Sequence, residues 1–263
     1  FLLLYRGFGF QRRILDDNLQ RAFPDLTPDK HAQLAERAYR NALDFLFEAI
    51  KAWRLDADAL RRRVRFSNPE LMESLVAEHG TVIALTSHYG NWEWLLLGAG
   101  VQIGPQVAVP YRSLNQPLID AQLVKLRSRF GGLPVNARTE LPRLNAFAKR
   151  GGIIALNADQ LPRPEEDKAW HTLLGQDTAF YTGPERLARL YRAPAVFVNM
   201  QRLQRGYYEV SFELLRVPPY GKDTGILPAY VDALERQIRH NPEGWFWLYK
   251  RWKYPRPRLT DQT

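Results

Sequence analysis

The feature that most constrains the fold is a regular alternation of short apolar runs with helical segments, beginning near residue 80. Strands that alternate with helices of this length predict βαβ units, and therefore a mainly parallel central sheet flanked by helices. We predict an α/β fold of this kind. The strands, in chain order, are TVIALT, QVAVPY, LPVN, IIALNAD, PAVFVNM and YYEVSFELL, the last being an antiparallel partner of the one before it.

The residues before this alternation have a helical pattern. Thr27 is suited to an N-cap and Pro28 to a first helical position, and apolar residues then recur at steps of three and four as far as Trp53. We predict a long amphipathic helix here, followed by a second helical stretch with the basic cluster of residues 61–65. The chain is therefore expected to form one domain, with an N-terminal helical elaboration over residues 1–79 and an α/β core over residues 80–263.

Composition limits both the chemistry and the partners. The chain of 263 residues has no cysteine, which excludes disulfides, thiolate zinc sites and a cysteine nucleophile. Its net charge of +9 predicts an anionic partner, such as an anionic membrane surface, nucleic acid or an acidic protein. Seven tryptophans and twelve tyrosines favour a membrane interface, where amphipathic rings settle.

Polar residues follow three of the predicted strands at their carboxyl ends. His88 follows TVIALT, Arg112 follows QVAVP, and Asp159 ends IIALNAD. Open parallel sheets bind their ligands beyond this edge, so we expect the three side chains to converge on one site.

Within the stretch SHYGNWEW, His88 and Glu93 are five positions apart. A continuous helix would not place them on a common face. A bend at residues 90–91 would let Glu93 reach back to the imidazole, fix its tautomer and leave the other ring nitrogen as a proton acceptor. The alternative is an ordinary strand-to-helix turn, with a histidine bonded to backbone and a glutamate at a helix start. The spacing leaves both interpretations open.

Several other functions lack their sequence signatures. No serine lies in a G-x-S-x-G elbow, and neither a P-loop nor a dinucleotide-binding glycine motif is present. The five histidines lack paired ligand spacing, so no metal site is predicted. The segment WLYKRWKYPRPR mixes rings with cations, as nucleic-acid and lipid-phosphate surfaces both do. Without a nucleic-acid-binding module, we favour lipid and predict no nucleic-acid partner.

Four blocks carry a family resemblance. SHYGNWEW resembles the H-x4-(D/E) motif of lysophospholipid and glycerolipid acyltransferases, in the form typical of the late lipid A acyltransferases. Residues 111–131, 155–184 and 241–253 resemble three further blocks of that family, in the same order and spacing. The early stretch NLQRAFPDL matches as well, so the resemblance covers nearly the whole chain.

The resemblance implies a glycerol-3-phosphate acyltransferase-like fold and an acyltransferase without a cofactor. The donor would be an acyl carrier protein thioester or a coenzyme A thioester, and the acceptor a hydroxyl of a lipid A precursor or a related glycolipid or lysolipid. His88 would be the general base, oriented by Glu93. The residues expected to bind substrate or stabilise the intermediate are Arg112, Asn115, Asp159 and Gln160.

The last block departs from the family pattern, because Tyr249, Lys250 and Arg251 stand where the family usually has His-Arg-Arg. We expect Lys250, Arg251 and Lys253 to contact the membrane, a lipid phosphate or the carrier. The segment TLLGQDTAFYTG would either line an acyl tunnel or pack in the core.

The resemblance also implies the cytoplasmic face of a Gram-negative inner membrane, with an N-terminal anchor. FLLL is too short to cross a bilayer. We expect it to be the end of such an anchor, the alternative being an N-terminal segment that packs in the core. The alternatives are a non-catalytic membrane-peripheral lipid-binding protein, or an acyltransferase that acts on a lysophospholipid or an ornithine lipid.

Overall fold

The computed structural model of the protein describes residues 11–104 and 106–256. The expectation about FLLL therefore lies outside the described residues. Helices alternate with strands through most of the described chain. The α-helices are α1 (Arg12–Ala22), α2 (Pro28–Lys51), α3 (Ala57–Arg63), α4 (Glu70–His79), α5 (Trp92–Gln102), α6 (Pro117–Arg127), α7 (Leu141–Arg150), α8 (Gly183–Tyr191) and α9 (Ile226–His240).

The strands form a central sheet of seven and a separate hairpin of two. They are β1 (Val64–Phe66), β2 (Thr81–Thr86), β3 (Val107–Tyr111), β4 (Leu133–Asn136), β5 (Gly152–Asn157), β6 (Lys168–Leu173), β7 (Gln176–Tyr181), β8 (Ala195–Gln204) and β9 (Tyr207–Arg216). The order in the central sheet is β1-β9-β8-β2-β5-β3-β4. All its neighbours pair in parallel except β8 and β9, which form an antiparallel hairpin.

The predicted α/β fold with a mainly parallel sheet is confirmed, and each of the six predicted strands is present. Three strands, β1, β6 and β7, were not predicted. The segment before residue 80 also supplies β1, which pairs with β9 at one edge of the sheet. The segment TLLGQDTAFYTG forms most of the β6–β7 hairpin, which turns at Leu174 and Gly175, both at positive φ. The hairpin packs Phe180 in the core, while Tyr181 lines a cavity.

Two apolar layers cover the two faces of the sheet. One contains residues of α3 to α6, and the other contains residues of α7 to α9 together with α1 and α2. Every residue of β2 is buried, as expected for a central strand covered on both faces. Helix α5 is largely apolar, and it buries Trp94, Leu95, Leu96 and Leu97 in the first layer.

The central pair of strands determines which residues meet at the carboxyl edge of the sheet. β2 and β5 run parallel and pair residue by residue, from Thr81 opposite Gly152 to Thr86 opposite Asn157. If this register continued past both strand ends by two residues, His88 would lie beside Asp159. Strands that are distant in the sequence therefore bring these two residues together.

Candidate active site

The loop between β2 and α5 carries His88 and is held by its neighbours. Gly90 has φ of 60°, and a Cβ there would lie 3.2 Å from the sulfur of Met200, so glycine fits this position better than other residues. Asn91 is the N-cap of α5, since its side-chain oxygen accepts a hydrogen bond from the Trp94 N–H at 2.9 Å. Its amide donates to buried Glu48 at 2.7 Å, which fixes the loop to α2.

His88 is bonded to Asp159 from the end of β5. The imidazole Nδ1 lies 2.7 Å from Asp159 Oδ1, while the other carboxylate oxygen accepts from the His88 backbone N–H at 3.0 Å and from the indole N–H of Trp245 at 2.9 Å. Asp159 is completely buried, whereas 24% of the His88 side chain is exposed. The buried carboxylate therefore holds one ring nitrogen and directs the other towards the accessible side.

His88 and Asp159 shift each other's pKa values. Burial by itself would lower the pKa of His88, but the Asp159 carboxylate outweighs it and the pKa is raised. Burial would raise the pKa of Asp159, but His88, Arg251 and the Trp245 hydrogen bond together lower it to about 2. Asp159 therefore stays ionised, and when His88 is neutral the carboxylate accepts a hydrogen bond from its Nδ1–H, which leaves Nε2 as a proton acceptor.

The expected contact between Glu93 and His88 is wrong. The Glu93 carboxylate instead accepts two hydrogen bonds from Arg127 of α6, at 2.6 Å from Nη2 and 3.0 Å from Nε. The reason is geometric, because the first turn of α5 directs Glu93 towards α6, while Nδ1 of His88 is already bonded to Asp159 on the neighbouring strand. The expected bend at Gly90 is present, but the carboxylate hydrogen-bonded to His88 is that of Asp159 and not that of Glu93.

A cavity of about 900 Å³ opens at the carboxyl edge of the sheet and has both His88 and Glu93 on its wall. Its lining is mainly apolar and comes from both core layers, with Ala84 and Ile153 in one and Val135 and Leu144 in the other. The cavity therefore extends over both faces of the sheet around the end of β2. Such an apolar space beside a few polar groups is typical of a ligand-binding site.

Of the other predicted site residues, some line the cavity and others lie outside it. Arg112 and Gln160 line the cavity, and Arg112 forms an ion pair with Glu166, 2.7 Å from each carboxylate oxygen. Asn115 is exposed and is not part of the cavity lining. Sequence reasoning thus brought His88, Arg112 and Asp159 to one edge correctly, but Asp159 lies behind His88 rather than on the wall.

The three predicted basic residues near the C-terminus differ in their exposure to solvent. Lys250 and Lys253 are exposed, but Arg251 is 1% exposed, so its expected contact with a membrane or carrier surface is wrong. Its guanidinium packs over the rings of Phe180 and Trp245, and its Nη1 donates to Tyr249 Oη at 2.8 Å. Both rings belong to the core, so packing against them places this one cation inside the protein.

Three residues near His88 were not predicted. Asn157, the last residue of β5, lines the cavity and places its amide nitrogen 3.4 Å from His88 Nε2. Arg127 lines the cavity through α6, and Trp245 bonds to Asp159. Asn157 is two residues before Asp159, so its position at a strand end was a usable signal. Nothing local in the sequence pointed to Arg127 or Trp245.

A family model supports what this geometry indicates. The model of the bacterial lipid A biosynthesis acyltransferases matches residues 4–254. The chain belongs to this family. It is therefore an acyltransferase, and the family implies activity in lipid A biosynthesis, with an acyl donor and a lipid acceptor. No curated protein matches its sequence.

The family is associated with bacterial membranes. Within residues 11–104 and 106–256, no helix of this acyltransferase combines the length and the apolar character needed to cross a bilayer.

Proposed function

We propose that this acyltransferase moves a fatty acyl chain from a thioester to a hydroxyl of a lipid A precursor, with His88 as the general base. The observation that carries this proposal is the His88–Asp159 pair beside a large apolar cavity. The pair supplies a proton acceptor at Nε2, and the cavity supplies room for an acyl chain.

The proposed reaction uses these positions. Nε2 of His88 takes the proton of the acceptor hydroxyl, whose oxygen attacks the thioester carbonyl. The tetrahedral intermediate then collapses, the carbon–sulfur bond breaks, and the imidazolium returns the proton to the leaving thiolate. Asp159 keeps the Nδ1 proton in place and stabilises the imidazolium between the two steps.

Arg127 has a separate role in this proposal. Its guanidinium is on the cavity wall, and the Glu93 carboxylate fixes its orientation through two hydrogen bonds. A fixed cation on the wall of the cavity that His88 also lines would hold an anionic substrate group or stabilise the developing oxyanion. Glu93 thus acts on the substrate through Arg127 rather than on His88. Arg112 and Gln160 line the same cavity and are proposed substrate contacts.

The donor is proposed to be an acyl carrier protein thioester, with coenzyme A thioester as the alternative. The net charge of +9 suits an acidic carrier, and Lys250 and Lys253 are exposed cations that could contact a carrier or an anionic membrane at the inner-membrane surface. Rates with the two thioesters at matched acyl chains would distinguish the donors. Mass spectrometry of lipids from cells with and without the protein would identify the acceptor among lipid A precursors, lysophospholipids and ornithine lipids.

The decisive variant is His88→Ala. We expect kcat/KM for acyl transfer to fall by about 10³-fold, because the proton acceptor is lost. The protein should stay folded and keep binding lipid vesicles. His240→Ala, at an exposed histidine that ends α9, is the matched control and should keep full activity. Unchanged transfer by His88→Ala would rule out the mechanism, and absence of transfer by the wild-type protein with every donor would favour a non-catalytic lipid-binding protein.

A further inference from the structure

The C-terminal segment of residues 244–251, here called the brace, is bonded to both sides of the His88 loop. The Gly90 N–H donates to the carbonyl of Gly244, and the Phe246 N–H donates to the carbonyl of His88, each at 2.9 Å. Tyr89 and Trp245 form an antiparallel bridge between these bonds. The brace therefore holds the backbone on which His88 stands.

The brace also surrounds Asp159. Trp245 donates to the Asp159 carboxylate at 2.9 Å, and the Tyr249 hydroxyl donates to the Asp159 carbonyl at 3.2 Å. Arg251 donates to that same hydroxyl at 2.8 Å, and its guanidinium carbon lies 5.8 Å from the centre of the Trp245 ring. A short chain of polar contacts thus connects Arg251 to Asp159.

Arg251 is buried without a full set of partners. Its Nε and Nη2 are buried and make no hydrogen bond to any residue in the described part of the chain. A buried cation is costly unless nearby charge compensates for it. Asp159 is a completely buried carboxylate within electrostatic reach of Arg251, and we take it to be the compensating charge.

We propose that Arg251 is a positioning residue of the His88–Asp159 pair, whose buried guanidinium keeps Asp159 ionised and His88 in the neutral form that accepts a proton at Nε2. This inference rests on the proposed role of His88 as the base. It goes further in assigning part of the control over that base to Arg251, a buried cation that is not part of the cavity lining.

The charges around the pair agree with this assignment. Burial lowers the pKa of His88, Asp159 raises it, and Arg251 opposes Asp159 by lowering it. Glu93 also raises the pKa of His88, but it is bonded to Arg127. Burial raises the pKa values of Tyr230 and Tyr249, so both remain neutral at the working pH. The titratable and charged groups that act on the pair from the surrounding elements are thus Glu93, Tyr230, Tyr249 and Arg251.

The test measures the protonation of His88 directly. NMR titration of protein labelled with ¹³C at histidine Cε1 gives the pKa of each of the five histidines, and His88→Gln identifies the His88 signal. In Arg251→Met and Arg251→Gln, we expect the pKa of His88 to rise by about one unit, because the opposing cation is gone. Arg251→Lys keeps the charge and should stay near the wild-type value. Lys250→Met removes an adjacent but exposed cation and should also leave it unchanged.

An unchanged pKa of His88 in the neutral variants, or an equal rise in Arg251→Lys, would overturn the proposal. If neither neutral variant folds, the role of Arg251 is structural and the proposal also fails. The pH profile of kcat/KM distinguishes a failure of this proposal from a failure of the proposed function. Its acidic limb should move up together with the pKa of His88. If the NMR value moves and the limb does not, the influence of Arg251 stands but His88 is not the base.

Discussion

At the scale of single residues, the site depends on which carboxylate reaches the imidazole. Asp159 is bonded to His88, whereas Glu93 is bonded to Arg127, although Glu93 is much closer to His88 in the sequence. Asp159, hydrogen-bonded to Nδ1, determines the tautomer of His88. Glu93 instead fixes the orientation of Arg127, which lines the cavity. Substitutions of Asp159 and Glu93 should therefore have different effects on kinetics and stability.

The first prediction compares Asp159→Asn with Glu93→Gln. In Asp159→Asn, the side-chain amide can donate to Nδ1 and place the ring proton on Nε2, so kcat should fall by about 10³-fold or more. In Glu93→Gln, His88 keeps its tautomer, but Arg127 loses its carboxylate. We expect a raised KM and a loss of about 3 kcal/mol in the free energy of unfolding. Steady-state kinetics and urea denaturation would measure both. Equal losses of kcat would contradict the division of roles.

The raised pKa of His88 gives a prediction about pH. Burial lowers this pKa, but Asp159 outweighs it, so His88 should bind its proton at a higher pH than an ordinary histidine. As the proposed base, His88 must be neutral to act, so kcat/KM should fall as the pH drops through this pKa, about tenfold per pH unit. The midpoint of the acidic limb should lie above about 6.5, the ordinary value for histidine. A midpoint at or below that value would contradict the effect of Asp159.

At the scale of secondary-structure elements, the His88 loop is held by segments from far along the chain. Asn91 begins α5 and is bonded to Glu48 of α2, and the brace pairs with residues on both sides of His88. Close packing accompanies this pairing, since a Cβ on Gly244 would lie 2.3 Å from Cζ of Tyr89. Gly244 is therefore needed where the brace crosses the loop.

Gly244→Ala tests this packing. The added methyl group must displace the Tyr89 ring, so we expect a loss of about 1–3 kcal/mol in the free energy of unfolding together with a reduced kcat. Gly221→Ala is the matched control, because its Cβ would have no neighbour closer than 3.9 Å, and it should change the free energy of unfolding by no more than about 0.5 kcal/mol. Similar stabilities of the two variants in urea denaturation would contradict the close approach of loop and brace.

At the scale of the whole molecule, the cavity is the space left where the two core layers meet the edge of the sheet. It reaches from His88 along α5 to Ile103, near the end of that helix, and its walls there are apolar. A hydrocarbon chain lying along α5 would have its reactive end beside His88, the proposed base. The depth of this arm should therefore limit the length of acyl chain that the enzyme accepts.

Ala99→Phe should shorten this arm, because Ala99 is on the cavity wall one turn of α5 before Ile103. We expect kcat/KM to fall for long-chain thioesters and to change little for short-chain ones. Ala121→Phe, on the exposed side of α6, is the matched control and should leave the preference unchanged. An equal loss across all chain lengths would indicate that the acyl chain lies elsewhere.

The sequence by itself determined the class of the fold and three of the residues that meet at the carboxyl edge of its sheet. A short apolar run indicates a buried strand, and apolar residues at helical spacing indicate a helix with one buried face. β2, β5 and α2 could therefore be located from the local pattern alone. The short edge strand β1 was missed, since its three residues are too few to show a pattern. The positions of His88, Arg112 and Asp159 after strand ends were also local information, and they do meet at one edge.

Only the tertiary structure decided which partners these residues have. The order of strands places β5 beside β2, although β3 and β4 come between them in the sequence, and this brings Asp159 rather than Glu93 to His88. Packing against Phe180 and Trp245 likewise buries Arg251, which the sequence presents as one cation in a basic run. Hydrogen bonds and charges act over a few ångströms in space, and the distance between two residues along the chain does not determine their distance in the fold.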